Sequence, residues 1–346
     1  MKDGFQDVGF VATPHYKKVQ EEYTKMLNDA LPQEQYWCLT APNVPRVWSS
    51  SSLSILSECP RKFQYKYIEG WTARGENLDF IFGTQLHRGL EHYWRMRCQG
   101  GEQEKSLNAT VGLLMELGLE LPEPTRPNQA GKTRKGLVSA IVWYVDYWGD
   151  QDSPDDIMTF NDKPAIEMHF AISLPLLNPD GESYTVQGYV DQIRNWSYAQ
   201  TVWDFKTTNK EPSDYYLDQF DLSLQCAIYT IGMKVLTNEP INMFMADVIG
   251  VETRTQGLPE TIPVAFFARK PVTLTPEELD EHLRDIQVLI KNNERYAEQD
   301  YWPKNTKACR FCEFRDICKK SPPLRSAFLQ TEFKKDRRTV VHIRKE

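Results

Sequence analysis

The stretch Tyr184-Thr185-Val186-Gln187-Gly188-Tyr189-Val190-Asp191, continued by Thr201-Val202-Trp203-Asp204-Phe205-Lys206, decides the reading of this chain. Both runs are rich in β-branched and aromatic residues, and turn-forming clusters (Asn178-Pro179-Asp180-Gly181 and Asn195–Gln200) bound them, so they read as antiparallel strands. A tight turn near Ser197-Tyr198 would make Asp191 and Asp204 direct cross-strand neighbours, with side chains about 5 Å apart. Lys206 lies two residues beyond Asp204 and shares its face of the strand. Aspartate is disfavoured in strands, so two at paired positions call for a reason. Two carboxylates beside a lysine can hold a hard divalent cation and polarise a phosphate, which points to metal-dependent phosphodiester cleavage. In that chemistry Asp191 and Asp204 are the anionic ligands and the Phe205 carbonyl is a further oxygen ligand. Lys206 orients the attacking water or stabilises developing charge.

Working outward, Ile166–Leu174 reads as a strand before this pair, and Asn242–Glu252 and Ile262–Ala268 as two strands after it. Helical spacing runs through residues 80–97, 106–119, 132–150 and 213–235, and Thr275-Pro276-Glu277-Glu278 opens a helix reaching about Gln299. Ser49–Ser52 offer N-cap candidates for a helix running into Cys59-Pro60. The expected organisation is a peripheral arm over 1–46, with a short helix near Val19–Ala30, then one α/β domain over 47–320. That domain divides into a helical part (47–160), a catalytic sheet core (161–300) and a cysteine segment (301–320), and a charged tail (321–346) follows.

The totals set bounds. The 346 residues are 40% hydrophobic and 12% aromatic, which suits a folded globular chain. No apolar run has membrane-spanning length, and Met1–Asp7 lacks the basic segment and apolar core of a signal peptide, so a cytoplasmic location and no membrane partner are expected. The net charge of -7 argues against a broadly basic surface but leaves room for a narrow basic channel beside an acidic site. Seven cysteines in a reducing compartment argue against a disulfide framework.

Further candidates gather around the two aspartates. His87, early in the 80–97 helix, is a reasonable Mn²⁺ ligand; the alternative is a surface pair with Glu91 one turn on. His92 points to another face and is a decoy. Glu167 is a secondary candidate, either another acid at the metal or a solvated strand residue. Gln225 and Tyr229, one turn apart, either contact substrate and brace the catalytic strand or pack the helix. Cys309-x2-Cys312-x5-Cys318 can share one metal centre, and Cys59, at a helix interruption, is the best fourth ligand. Zinc and an iron–sulfur cluster both remain open on spacing alone. Arg61, Lys62, Lys66, Arg88, Arg95 and Arg97 lie among aromatic residues and read as nucleic-acid contacts. Lys132, Arg134 and Lys135 form a second basic patch.

Taken in order, these residues resemble the RecB-like branch of the PD-(D/E)XK nuclease superfamily. The likeness is to its iron–sulfur members, which include CRISPR-associated exonucleases and AddB-type nuclease domains. Cys59 looks like the leading cluster cysteine, His87 like the metal-binding helix histidine and Asp191 like the first metal aspartate. Asp204-Phe205-Lys206 looks like the (D/E)XK element, Gln225 with Tyr229 like the Gln-x3-Tyr motif, and Cys309, Cys312 and Cys318 like the closing cysteines. The resemblance spans about residues 47–320. Its last acidic ligand is Asp204, where many relatives carry Glu.

The resemblance implies a restriction-endonuclease-like α/β core, a central mixed sheet flanked by helices, with a helical insertion and an iron–sulfur clamp. It also implies a [4Fe–4S] cluster and a Mg²⁺ or Mn²⁺ centre. The implied activity is a DNA exonuclease acting on duplex ends or single strands, with a protein partner in a recombination or acquisition complex. Recombination, repair, phage DNA processing and CRISPR-type acquisition would each fit. A structure-selective endonuclease and a non-catalytic DNA-end-binding subunit are the competing expectations.

Overall fold

The computed structural model describes residues 38–40, 43–75, 77–255, 261–335 and 341–342. The expected helix near Val19–Ala30, the loop with Gly257 and Pro259, and the end of the charged tail lie outside the described residues. In chain order the strands are β1 (Cys38–Thr40), β2 (Val44–Pro45), β3 (Val47–Ser49), β4 (Trp71–Ala73), β5 (Thr159–Phe160), β6 (Lys163–Pro164), β7 (Ile166–Leu177), β8 (Ser183–Trp196), β9 (Ala199–Thr208), β10 (Met243–Thr255), β11 (Thr261–Thr273), β12 (Phe333–Lys335) and β13 (Val341–His342). The α-helices are α1 (Ser50–Glu58), α2 (Pro60–Phe63), α3 (Leu78–Cys98), α4 (Gln103–Leu117), α5 (Arg134–Trp148), α6 (Asp214–Leu217), α7 (Leu224–Thr237), α8 (Pro276–Glu298), α9 (Arg315–Lys319) and α10 (Arg325–Glu332).

The chain forms two compact units. One holds Met1–Gly75, Phe170–Gly188 and Thr275–Glu346; the other holds Glu76–His169 and Tyr189–Leu274. The second unit carries the strand order β11-β10-β9-β8. β9 runs antiparallel to β8 and parallel to β10, and β10 runs antiparallel to β11, so the sheet is mixed. The parallel β9–β10 pair needs a crossover, which α6 and α7 supply. Trp203 and Phe205 pack into a core shared with Leu86 and Leu90 of α3, Leu114 of α4 and Tyr144 of α5. Strand alternation then sends Asp204 and Lys206 toward the other face of β9.

Helix starts follow the local chemistry. Asn77 caps α3 by accepting from the backbone amide of Asp79 at 3.1 Å. Thr133 caps α5, and Thr275 and Glu278 close a reciprocal capping box ahead of Pro276 in α8. Ser49 and Ser52 form the same device at α1.

In the first unit β3 pairs in parallel with β8, setting Val47 opposite Thr185. A separate aromatic cluster gathers Tyr65, Trp71, Phe314, Ile317, Leu329 and Phe333, with Cys312 and Cys318 packed against it. The segment expected to be a charged tail folds over Arg325–Lys335 as α10 and β12, and β12 pairs with β4. Leu329 and Phe333 are the cause: both are buried, and each drives its element onto that cluster. Among the described residues, no helix is long and apolar enough to cross a membrane.

Candidate metal centre and active site

The β8–β9 hairpin turns through Ser197 and Tyr198, whose φ angles of 47° and 66° match the mirror-image two-residue turn that suits twisted strands. The ladder runs from Trp196↔Ala199 to Gln192↔Trp203, so Asp191 and Asp204 occupy the next opposed position. There the backbone ladder gives way to a side chain. The Phe205 amide donates to Asp191 Oδ2 at 2.6 Å, while Asp191 Oδ1 lies 3.1 Å from His87 Nδ1.

Ligand atoms of His87, Glu167 and Asp191 all lie within 4.8 Å of one another. Glu167 reaches them from β7 with a φ of 52°, a left-handed value costly for a residue with a side chain. Arg95 braces the preceding residue by donating to the Ile166 carbonyl at 3.1 Å, and it also donates to Glu91 at 2.8 Å. Asp204 stands outside this three-residue group and is ion-paired with Lys206. Lys206 Nζ also donates to Gln225 Oε1 at 2.8 Å, so α7 fixes the ammonium from its own side. Tyr229 lies within reach of the Asp204 and Lys206 charges; burial first, then Asp204, pushes its phenol up to about 12. His87, Glu167, Asp191 and Lys206 open on one cavity of about 550 Å³.

The electrostatics separate the acids. Burial works against an ionised Asp191, but the charge and hydrogen bond of His87 and the Phe205 amide hold its carboxyl below the usual range. Burial, followed by the charges of Asp191 and Glu91, lifts Glu167 to about 8. Asp204 is raised by burial and by Asp191, against the pull of Lys206. Burial disfavours charged His87, yet Asp191 outweighs it and lifts the imidazole to about 9. Burial also opposes the Lys206 charge, and Asp204 more than compensates, so the ammonium is held firmly.

Other candidates are engaged elsewhere. Arg61 Nε donates to the Trp302 carbonyl at 2.7 Å, and Lys62 Nζ to Glu58 at 2.7 Å; neither lines the cavity that holds His87. Lys132, read as part of a basic patch, is buried in an ion pair with Asp79 at 2.8 Å because it sits under the first turn of α3. His92 Nδ1 meets the Thr110 hydroxyl at 2.9 Å. Arg88 does line the cavity.

In the first unit, Asn305 links two cysteines: its amide donates to Cys59 Sγ at 3.4 Å, and Cys309 Sγ donates to its carbonyl at 3.6 Å. Burial pushes the Cys318 thiol up; Arg325 and Arg61 oppose this, and Cys59 and Cys309 add to it. Burial likewise raises Cys312, opposed by Lys62 and helped by Cys59 and Cys318. Each of these two thiols thus senses two of the other three. Cys226 is buried, and its thiol is pushed up to about 12, chiefly by that burial.

A buried polar network behind β9 escaped the sequence reading. Asp247 Oδ2 accepts from Tyr144 Oη (2.6 Å), Trp203 Nε1 (2.9 Å) and Arg269 Nε (3.1 Å). Arg269 also forks onto Asp152, which accepts from Arg194 at 3.0 Å. The Arg194 guanidinium lies over the Trp94 and Trp203 rings at 4.3 and 4.4 Å. The signal was Asp247 itself, a carboxylate inside the apolar run Phe244–Val251.

A model of the PD-(D/E)XK nuclease superfamily matches residues 47–319. The chain belongs to that superfamily. The match takes in every residue of the cavity and all four cysteines of the candidate cluster. Nucleases of this superfamily use divalent metals, and the His87–Glu167–Asp191 group is an acid–imidazole set of that kind. No curated protein matches the chain. Among solved structures it is similar to a "Putative exonuclease" from Eubacterium rectale, at 13% identity over 80% of this chain and 90% of that one, with a TM-score of 0.42. It is also similar to the protein SSO0001, at 14% identity over 71% of this chain and 98% of that one, with a TM-score of 0.28.

Proposed function

We propose that this nuclease is a metal-dependent DNA exonuclease of the RecB-like branch, hydrolysing phosphodiesters at DNA ends or in single strands. The observation that carries the reading is the convergence of His87, Glu167 and Asp191 beside a fixed Lys206 in one open cavity. The donor set fits Mg²⁺ or Mn²⁺: two carboxylates supply hard oxygens, and an imidazole nitrogen suits Mn²⁺. His87, Glu167 and Asp191 would hold the ion, with Asp204 and the Phe205 carbonyl completing the set. A bound divalent ion polarises the phosphoryl group and lowers the pKa of a water.

The remaining roles belong to the chain. Lys206, its charge secured by Asp204 and aimed by Gln225, faces the negative charge that develops on the phosphate. The Phe205 amide locks the Asp191 carboxylate in rotation, so Oδ1 stays turned to His87. Arg88 supplies a cation for a flanking phosphate. Processing of DNA ends, alone or within a larger complex, is the corresponding cellular role.

For the cysteines the same reading assigns a [4Fe–4S] cluster to Cys59, Cys309, Cys312 and Cys318. Two features support it: the thiols sense one another, and Arg61, Lys62 and Arg325 supply positive charge for an anionic cluster.

The test is a Mn²⁺-dependent cleavage assay on end-labelled single-stranded, duplex and covalently closed circular DNA. Degradation of linear substrates with the circle left intact is expected, and cutting of the circle would establish an endonuclease. Asp204→Ala protein that cuts as well as wild type would sink the site assignment. Iron is read separately, on anaerobically purified protein, where a colourless zinc protein would overturn the cluster.

A further inference from the structure

Phe80 stands in the wrong place for an ordinary surface residue. The residue is 72% exposed, and it lines the same cavity as His87 and Lys206. Phe80, Thr84, His87 and Glu91 follow one another along one face of α3, and all four open on that cavity. Single exposed apolar side chains are common, but this one is set among groups suited to an anionic, hydrogen-bonding ligand: Lys206, Arg88, Thr84 and Thr207. The helix turn that carries it is held in place. Neighbouring Asp79 is tied to Lys132 at 2.8 Å and to Gln129 at 2.9 Å, and Asn77 caps the turn. At Gly83 the helix lies so close to β9 that a Cβ there would stand 3.1 Å from Thr207 Oγ1.

Spacing gives the ring a role. Seven residues of helix separate Phe80 from His87, about 10 Å along the axis. That is about three nucleotide steps at the 3.4 Å rise of a stacked strand, and fewer for an extended one. A phosphate at the metal centre therefore brings a nearby base of the same strand to Phe80. In a duplex both faces of that base are covered by its neighbours; an unpaired base can offer a face to the ring.

We propose that Phe80 is a stacking platform for an unpaired nucleobase within three nucleotides of the cut phosphate. The inference rests on the DNA-nuclease reading and adds the residue that holds the base.

The experiment measures binding of a labelled single-stranded oligonucleotide by fluorescence anisotropy, with Ca²⁺ in place of Mn²⁺ to avoid turnover. Phe80→Ala weakens binding by about 5- to 150-fold, the range that loss of one base–aromatic stack produces. Phe80→Trp restores it. Mn²⁺ affinity and thermal melting stay at the wild-type level in both variants, because Phe80 is exposed and is none of the proposed ligands. An abasic substitution near the end weakens binding to wild type and leaves Phe80→Ala unchanged. Wild-type affinity in Phe80→Ala, or equal weakening toward blunt duplex and abasic strand, overturns the inference alone. Absence of any DNA binding by wild type overturns the nuclease reading and this inference together.

Discussion

Replacing Glu167 by Gln tests the metal centre through its protons. In the metal-free protein His87 titrates at about 9 and Glu167 at about 8, so at pH 7 both are mostly protonated. A divalent ion needs the neutral imidazole and the carboxylate, so its binding must expel those protons. Two units below its pKa, His87 gives up about one proton; one unit below, Glu167 gives up about nine-tenths of one. Wild type should therefore release about two protons per Mn²⁺ at pH 7, and its affinity should climb by close to a hundredfold per pH unit there. Glu167→Gln keeps the shape of the protonated acid and has no proton to lose. It should release about one, with affinity climbing about tenfold per unit. The two binding curves consequently diverge as pH rises from 7 to 9. Calorimetry in buffers of different ionisation enthalpy counts the protons directly. Equal release by wild type and Glu167→Gln would show that Glu167 does not meet the ion and would refute the reasoning.

Four other outcomes are expected. Lys206→Ala should lower the cleavage rate by about 100- to 1,000-fold, as loss of one charge-stabilising group does, without weakening Mn²⁺ binding. In the metal-free protein the Glu167 and His87 pKa values stand above their ordinary 4.5 and 6.5, so their stabilising contributions are full below those values and are lost as pH rises through about 8 and 9. Melting temperature in chelator should accordingly fall from pH 7 to pH 9, and a flat profile would contradict the assignment. Asp247→Ala removes the acceptor shared by Tyr144, Trp203 and Arg269, and should cost about 3–5 kcal/mol by urea denaturation, the scale of a broken buried ion pair. Cys59→Ala should lower iron content and melting temperature together, and full iron occupancy would exclude it as a ligand.

The sequence carried the hairpin because its information is local. Alternation marked the strands, Ser197-Tyr198 marked the turn, and the register followed from both. The group around the metal was less legible. Asp204 shares the hairpin with Asp191, yet Glu167 joins His87 and Asp191 while Asp204 turns to Lys206. Glu167 is aimed from a left-handed backbone that glutamate does not advertise. Cations were the least legible feature. Arg61 and Arg95 read as nucleic-acid contacts and Lys132 as part of a basic patch, but a carbonyl of Trp302, a carbonyl of Ile166 and the carboxylate of Asp79 engage them. A charge in sequence does not say whether its partner is a ligand or a distant part of its own chain. The Asp152–Arg194–Asp247–Arg269 network is hidden for the same reason: its partners lie up to 117 residues apart.

The tight turn at Ser197-Tyr198 also orders events in time. Asp191, Asp204 and Lys206 sit on the two arms of one hairpin, a structure that closes in about 1–10 μs once its strands meet. Closure brings two negative charges together, and Lys206 arrives with them, so the nascent hairpin carries a net charge of about −1 at this point rather than −2. His87 comes from 104 residues upstream and joins only when the long loop behind it has closed. The acid half of the centre can thus take shape while its histidine is still absent, and loss of His87 should leave the rate of hairpin formation untouched.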